Sequence, residues 1–247
     1  MALRLPAPPR PPGHGPTAGP GPVVVFLPAH DEEATVAEVV ARVPDLVLGR
    51  RVECLVVDDG SGDRTAELAA EAGATVLGGA ANRGLGAAVR TGLAAAVQRG
   101  AAAVAFCDAD REYDPAELER LVAPILKGRA DYVVGSRFAG GARRMRAHRN
   151  AGNRLLTRWV RWLTRRRDLT DGQSGYRAFS PAAAASAEIV HDYNYAQVLT
   201  LDLLGKGFAY AEVPITYAFR TTGSSFVRLR TYLRKVIPAV HKELNAG

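Results

Sequence analysis

From Val23 onward the chain alternates short apolar runs with amphipathic segments, and each apolar run ends in a polar cluster. That alternation is the signature of right-handed βαβ units, so it predicts an α/β fold with a mainly parallel central sheet flanked by helices. "VVVFLPA" reads as the first strand, followed by a helix from about Glu32 to Arg42. "VECLVVDD" is the second strand, with a helix opening near Asp63, and "ATVLGG" is a third, short one. "LGAAVRTGLAAAVQRG" is a helix ended by Gly100, and "AAAVAFCDAD" is the next strand. In "DPAELERLVAPILKG" Asp114 caps a helix that has Pro115 at its first position, and "ADYVVGSRF" closes the series as a strand.

Open parallel sheets bind ligands beyond the carboxyl ends of their strands. The strand ends here carry "PAHDEE", "DDGSGD", "DAD" and "GSRF", four polar clusters expected at one edge. In "DAD", Asp108 and Asp110 stand at i and i+2 of an extended segment and so face one side. Two hard carboxylates there suit Mg²⁺ or Mn²⁺ shared with phosphate oxygens. Alone the motif is weak, since aspartate is common in turns. Ser61 and Asp63 read as turn and capping residues. Asp59 is open to both a ligand and a structural hydrogen bond, and Glu32 to both a helix start and a nucleoside contact.

Beyond Phe138 the pattern changes, and from Gly140 to Arg167 there is no acidic residue. Leu155, Leu156, Trp159, Val160 and Leu163 fall at helical spacing, with Arg154, Arg158, Arg161 and Arg165 on another face. This basic amphipathic helix fits either a solvated surface or a bilayer interface, and Trp159 and Trp162 favour the interface. Phe226, Leu229, Leu233, Val236, Ile237 and Val240 repeat the pattern beside Arg228, Arg230, Arg234 and Lys235.

The organisation expected is therefore a Pro/Gly-rich disordered tail over 1–22, holding eight of the fifteen prolines, a catalytic domain over 23–225, and a basic amphipathic segment over 226–247. No run approaches the length needed to span a bilayer, and no signal-type segment opens the chain. Cys54 and Cys107 read as buried core thiols of a reducing compartment, so the expected location is cytoplasmic. The net charge of +7 suits an anionic partner. The arginines lack the aromatic platform of a nucleic-acid module, so no nucleic acid is expected. "NRGLGAA" is not a full dinucleotide fingerprint, and no phosphate-binding G-x-x-x-x-G-K-[ST] loop occurs.

"LPAHDEEATV", "VVDDGSGDRTAELA", "NRGLGAAVRTGL", "FCDADREYDPAEL", "VVGSRF", "DGQSGYRAFS" and "AEVPITYAFR" stand in order. Together they resemble family 2 glycosyltransferases of the GT-A fold, most closely the dolichol- or polyprenyl-phosphate mannosyltransferases. The resemblance implies a metal-dependent, inverting transfer from a nucleotide-diphospho-sugar, GDP-mannose or a UDP-sugar, to a polyprenyl phosphate. It implies that Pro28, His30, Glu32, Val57 and Asp59 hold the nucleoside and that Ala109 touches the nucleotide. Asp108 and Asp110 would bind Mg²⁺ or Mn²⁺, with Gln173 completing the metal shell, and Arg137 and Arg220 would face phosphates. Arg149 completes the expected substrate-binding set; Asp110, Asp108 and Arg220 form the expected catalytic set.

The sequence also departs from the family. His30 and Asp31 stand where Tyr and Asn are usual, Phe226 where lysine is common, and Ala196 and Val198 where acidic residues often face the acceptor. An alcohol acceptor needs a general base; an ionised phosphate does not. The gap thus fits a lipid phosphate, with Asp171, Asp192 and Asp202 remaining as base candidates. The expected partners are the donor, polyprenyl phosphate, an inner membrane face met peripherally, and a membrane-protein partner. Two alternatives stand beside this reading: transfer to a glycan or small-molecule hydroxyl, and a catalytically silent nucleotide- or membrane-binding protein.

Overall fold

The computed structural model describes residues 19–139, 168–189 and 196–218, together with Arg158. Within them the elements run β1 (Val23–Ala29), α1 (Val36–Ala41), β2 (Leu46–Val47), β3 (Arg50–Asp58), α2 (Thr65–Glu71), β4 (Thr75–Gly78) and α3 (Leu85–Gln98). They continue with β5 (Ala103–Phe106), a 3₁₀ turn (Pro115–Glu117), α4 (Leu118–Leu126), β6 (Tyr132–Ser136), β7 (Arg177–Phe179), α5 (Pro181–Ser186), α6 (Ala196–Gly205) and β8 (Tyr210–Pro214).

Local chemistry sets these boundaries. Asp114 accepts from the Ala116 amide and Pro115 follows it, so helix formation begins there as expected, first as a 3₁₀ turn. Gly100 ends α3 with φ +66°, a conformation that glycine adopts without strain. Helix α1 starts at Val36, four residues later than expected. The Glu32 amide donates to Thr65 Oγ1 and the Glu33 amide to Asp63, so residues 32 and 33 are tied into a tertiary turn.

The sheet order is β2-β3-β1-β5-β7-β6-β8, with β4 also on β3. Strands β1, β3, β4 and β5 pair in parallel, as do β6 and β8. The expectation of a mainly parallel sheet needs one correction: the sheet is mixed, because β7 runs antiparallel between β5 and β6, and β2 antiparallel to β3. The insertion of β7 has a consequence for function. Arg177, its first residue, lies opposite Phe106, the last of β5, so the loop before β7 is delivered to the carboxyl edge of the parallel strands.

Both sheet faces are covered, which is why β1 and β5 read as unbroken apolar runs. On one face Val25, Leu27 and Val56 meet α1 and α4; on the other Phe26, Leu55 and Phe106 meet α3 and α6. An aromatic row crosses five adjacent strands: Phe26 to Phe106 at 5.4 Å, Phe106 to Phe179 at 6.0 Å, Phe179 to Tyr132 at 5.2 Å, and Tyr132 to Tyr210 at 5.6 Å. Offset ring pairs at this spacing add to their area burial. Gly92 of α3 lies over the first ring, where a Cβ would be 2.2 Å from Phe26 Cδ2, so glycine lets α3 approach the sheet.

Among the described residues no helix is long and apolar enough to cross a membrane. The basic helix around 154–165, apart from Arg158, and the whole of 226–247 lie outside the described residues, as do 1–18 of the proposed tail. The Arg50 guanidinium donates to the carbonyls of Gly19 and Gly21, and the Ala102 amide donates to Pro22, tying 19–22 to the domain.

Candidate active site

Three strand ends build the carboxyl edge. Pro28 lies opposite Val57 and Ala29 opposite Asp58 in the β1–β3 register, and the Asp59 amide donates to Ala29 O at 2.9 Å. The loops that follow are clasped together: Asp31 N donates to Ser61 Oγ at 3.0 Å, and Gly62 N to Asp31 Oδ1 at 2.9 Å. Asp31 has φ +54°, sparsely populated for a residue other than glycine, and its two bonds to the facing loop hold it there. Burial pushes the Asp63 carboxyl up, but bonds from the Thr65 hydroxyl and the Thr65 and Glu33 amides outweigh it and hold the group below its ordinary value. Ser61 and Asp63 thus have the turn roles the sequence assigns them.

Asp59 also has a defined structural task. Its two oxygens accept the amides of Arg83 at 2.9 Å and Gly84 at 2.7 Å, which fixes the start of α3 against the end of β3. His30 and Glu32 continue from β1. Among the described residues His30 Nδ1 is a buried atom without a hydrogen-bond partner, a feature that a bound polar group would relieve. The carboxylate of Glu32 meets the hydroxyl of Thr35 at 3.1 Å, and that hydroxyl also reaches Ala109 O at 2.8 Å. Thr35, 4 % exposed, therefore links the first motif to the "DAD" turn.

At the end of β5, Asp108 is caught between several charges. Burial raises its pKa well above the ordinary value, Asp110 and Glu112 raise it further, and Arg137 and Arg177 pull it down. Asp110 Oδ1 accepts the Glu112 amide at 3.0 Å, and Arg111 between them has φ +63°. Gly175 presses against this turn, its amide donating to Tyr113 OH at 2.8 Å. Tyr113 in turn contacts the rings of Tyr176 and Tyr217.

Beyond β6, Arg137 is 4 % exposed and its Nε and Nη2 donate to Asp171 at 2.7 and 2.8 Å, while its guanidinium lies 5.3 Å from the Tyr217 ring centroid. Asp171 also accepts the amides of Arg137 and Gln173. Glu212 of β8 braces the same loop by accepting from the amides of Thr170 and Asp171.

Pro28, His30, Glu32, Val57, Asp59, Asp108, Ala109, Asp110, Arg137 and Gln173 therefore occupy one edge of the sheet or the loop before β7. Arg149 and Arg220 lie outside the described residues. Ala196 and Val198 are buried in α6. Thr35, Glu112, Gly175 and Arg177 escaped the residue-level reading. The available signal for Arg177 was an arginine inside the otherwise apolar run "GYRAF".

A divalent cation fits the donor set. Asp108 and Asp110 are hard carboxylates with a third acid, Glu112, acting on Asp108, and a divalent cation there would favour the ionised form that burial and the neighbouring acids oppose. No group of three His, Cys, Asp or Glu among the described residues is arranged to hold a metal, so the remaining oxygens would come from diphosphate and water.

The mixed α/β sheet with acidic loops at its carboxyl edge superposes on solved GT-A glycosyltransferases, and that likeness gives the class of the fold. Residues 24–193 match the family model for glycosyl transferase family 2. Glycosyltransferase AglJ of Haloferax volcanii is 30 % identical over 209 residues, covering 83 % of this chain and 66 % of that protein. The dolichol-phosphate mannosyltransferase of Pyrococcus furiosus is 27 % identical, covering 87 % and 62 %. Polyprenol monophosphomannose synthase of Mycolicibacterium smegmatis is 30 % identical, covering 82 % and 79 %. The chain thus spans less than two thirds of the first two relatives. Among solved structures, glucosyl-3-phosphoglycerate synthase of Mycobacterium tuberculosis with Mn²⁺, UDP and phosphoglyceric acid superposes with TM-score 0.75 at 26 % identity, covering 94 % of this chain and 81 % of that one. The chain belongs to glycosyl transferase family 2.

Proposed function

We propose that this chain transfers a hexose from a nucleoside-diphosphate sugar, GDP-mannose or a UDP-sugar, to a polyprenyl phosphate with inversion at the anomeric carbon. The observation that carries the donor half is the carboxylate cluster of Asp108, Asp110 and Glu112 at the carboxyl edge, with Arg137 and Arg177 near enough to act on Asp108. When bound there, Mg²⁺ or Mn²⁺ supplies electrostatic stabilisation of the departing diphosphate. Asp108 and Asp110 would hold that ion, with Gln173 completing its shell. Pro28, His30, Glu32, Val57 and Asp59 form the nucleoside wall.

In the transfer, an oxygen of the acceptor phosphate forms a bond to the anomeric carbon. The bond from that carbon to the diphosphate oxygen breaks, and its electron pair leaves with the nucleoside diphosphate. An ionised phosphate brings no proton to remove. Two base candidates are already committed: Asp171 to Arg137, and Asp202 to Lys206 at 2.7 Å and to the Glu188 amide at 2.9 Å. Asp192 lies outside the described residues. The polyprenyl-phosphate products named for the relatives support the same acceptor class. A lipid acceptor brings the chain to a membrane surface, where the basic segments suit anionic headgroups at the cytoplasmic face.

A second reading sends the sugar to a soluble acceptor. It is favoured by the structural likeness to glucosyl-3-phosphoglycerate synthase, crystallised with phosphoglyceric acid. The test supplies purified protein with Mn²⁺, labelled GDP- and UDP-sugars, and either polyprenyl phosphate in vesicles or phosphoglyceric acid. Lipid-linked sugar, lost on chelation with EDTA, is the expected product. Transfer only to the soluble acceptor overturns the lipid reading, and no product from any donor by folded protein overturns transferase activity.

A further inference from the structure

We infer that Arg177 is a positioning residue for the donor site, its buried guanidinium fixing the 172–175 loop, and so the seat of Asp108, against the first turn of α6. This rests on the proposed metal site at Asp108 and Asp110.

Arg177 is 0 % exposed. Its Nε donates to Ser174 O at 2.8 Å and its Nη2 to Gly172 O at 3.1 Å, so two edges of the fork grip one loop. Its Nη1 reaches Ala196 O at 2.8 Å, Thr200 Oγ1 at 3.1 Å, and Tyr132 OH. One side chain thus joins the loop before β7, the first turn of α6, and the middle of the sheet. Those bonds end on carbonyl and hydroxyl oxygens, so they fix geometry through a planar fork that lysine cannot reproduce. The loop it grips carries Gly175, whose missing Cβ leaves the space that the Asp108 carboxylate occupies. A shift of this loop therefore becomes a shift of Asp108.

The charge of Arg177 offers a discriminating sign. It lowers the proton affinity of Asp108 through space, and by the same field it opposes a cation at that carboxylate. If its role were electrostatic alone, Arg177→Gln would strengthen divalent-cation binding and Arg177→Lys would leave it unchanged. If it were only a core residue, both variants would lower Tm while the folded protein kept its Mn²⁺ affinity. Positioning predicts weaker Mn²⁺ binding in both, on the order of 10- to 100-fold, as is usual when the partners behind a metal ligand are removed.

The experiment titrates Mn²⁺, alone and with UDP or GDP, into the full-length chain and into Arg177→Lys, Arg177→Gln and Thr200→Val, with Tm measured in parallel. Thr200→Val removes the bond from Arg177, together with those of the Thr200 hydroxyl to Tyr132 OH and Ala196 O, while keeping the charge of Arg177. It carries the test if the arginine variants do not fold, with a loss of about fivefold expected from the one ordinary hydrogen bond that Arg177 loses. Mn²⁺ affinity unchanged or raised in the folded variants overturns the role of Arg177. Absence of Mn²⁺ binding by the unaltered chain overturns the metal site itself, and this inference with it.

Discussion

A Cβ placed on Gly175 would lie 2.1 Å from Oδ2 of Asp108, so the bare backbone at 175 and the carboxylate at 108 fill one space between them. Gly175→Ala forces the carboxylate to rotate away. Asp108 Cγ would also stand at 2.9 Å and Tyr113 Cε2 at 3.1 Å, so the aspartate side chain turns as a unit and the buried tyrosine ring gives by a few tenths of an ångström. The expected outcome is a Tm within a few degrees of the parent and Mn²⁺ affinity reduced about 10- to 100-fold. Calorimetric titration with unfolding curves checks both halves; retained affinity would show that Asp108 is not the metal's ligand.

Asp108 should also make the metal-free protein less stable than it could be. Its folded pKa is raised, by burial first and then by Asp110 and Glu112. A carboxyl with a raised folded pKa binds its proton more tightly when folded. Its contribution is therefore full at low pH and is lost as pH rises through the folded value, by up to about 1.4 kcal/mol per pH unit. Asp108→Asn removes that slope. In EDTA, the variant should unfold at higher temperature than the parent at neutral pH, with the gap narrowing on acidification. In saturating Mn²⁺ the order should reverse, since only the parent gains from the ion.

The Arg137–Asp171 pair is predicted to be structural whatever else Arg137 does. Both residues are nearly or wholly buried, and the fork is bidentate. Asp171→Asn leaves a buried guanidinium without its counter-charge, at a cost of about 3–5 kcal/mol. For a chain of this size that lowers Tm by roughly 10 °C or more. Differential scanning calorimetry gives the answer, and a shift of a degree or two would mean that the pair contributes little.

The parallel half of the fold was legible because β1, β3 and β5 are buried on both faces and their apolar runs stop at acidic loops. The "DAD" and "DDGSGD" turns were legible for the same reason. β7 was not: three residues long, it contains Arg177, and a charged side chain counts against burial when only neighbours in sequence are visible. What makes that burial tolerable are Ala196 and Thr200, some twenty positions away, and Tyr132 on another strand. The late start of α1 has the same origin, since Thr65 and Asp63 capture the amides of Glu32 and Glu33. The bond from Thr35 to Ala109 joins positions 74 apart, which no local pattern encodes.

One carboxylate bears on whether the transfer needs a general base. Asp202 is 7 % exposed, bonded to Lys206 and to the Glu188 amide, and burial raises its pKa. Were it the general base for an alcohol acceptor, Asp202→Asn would lower kcat by about 10²–10⁴ and abolish the ascending limb of the pH profile. With a phosphate acceptor there is no proton to take from the nucleophile. The ascending limb then follows the second ionisation of the acceptor itself, near pH 6. The expected result is an Asp202→Asn enzyme with kcat within a few-fold of the parent and an unchanged profile, at some loss of thermal stability from the broken Lys206 pair. Rate against pH on polyprenyl phosphate measures this, and a collapse of kcat with the Asn side chain would show that Asp202 takes part in the transfer.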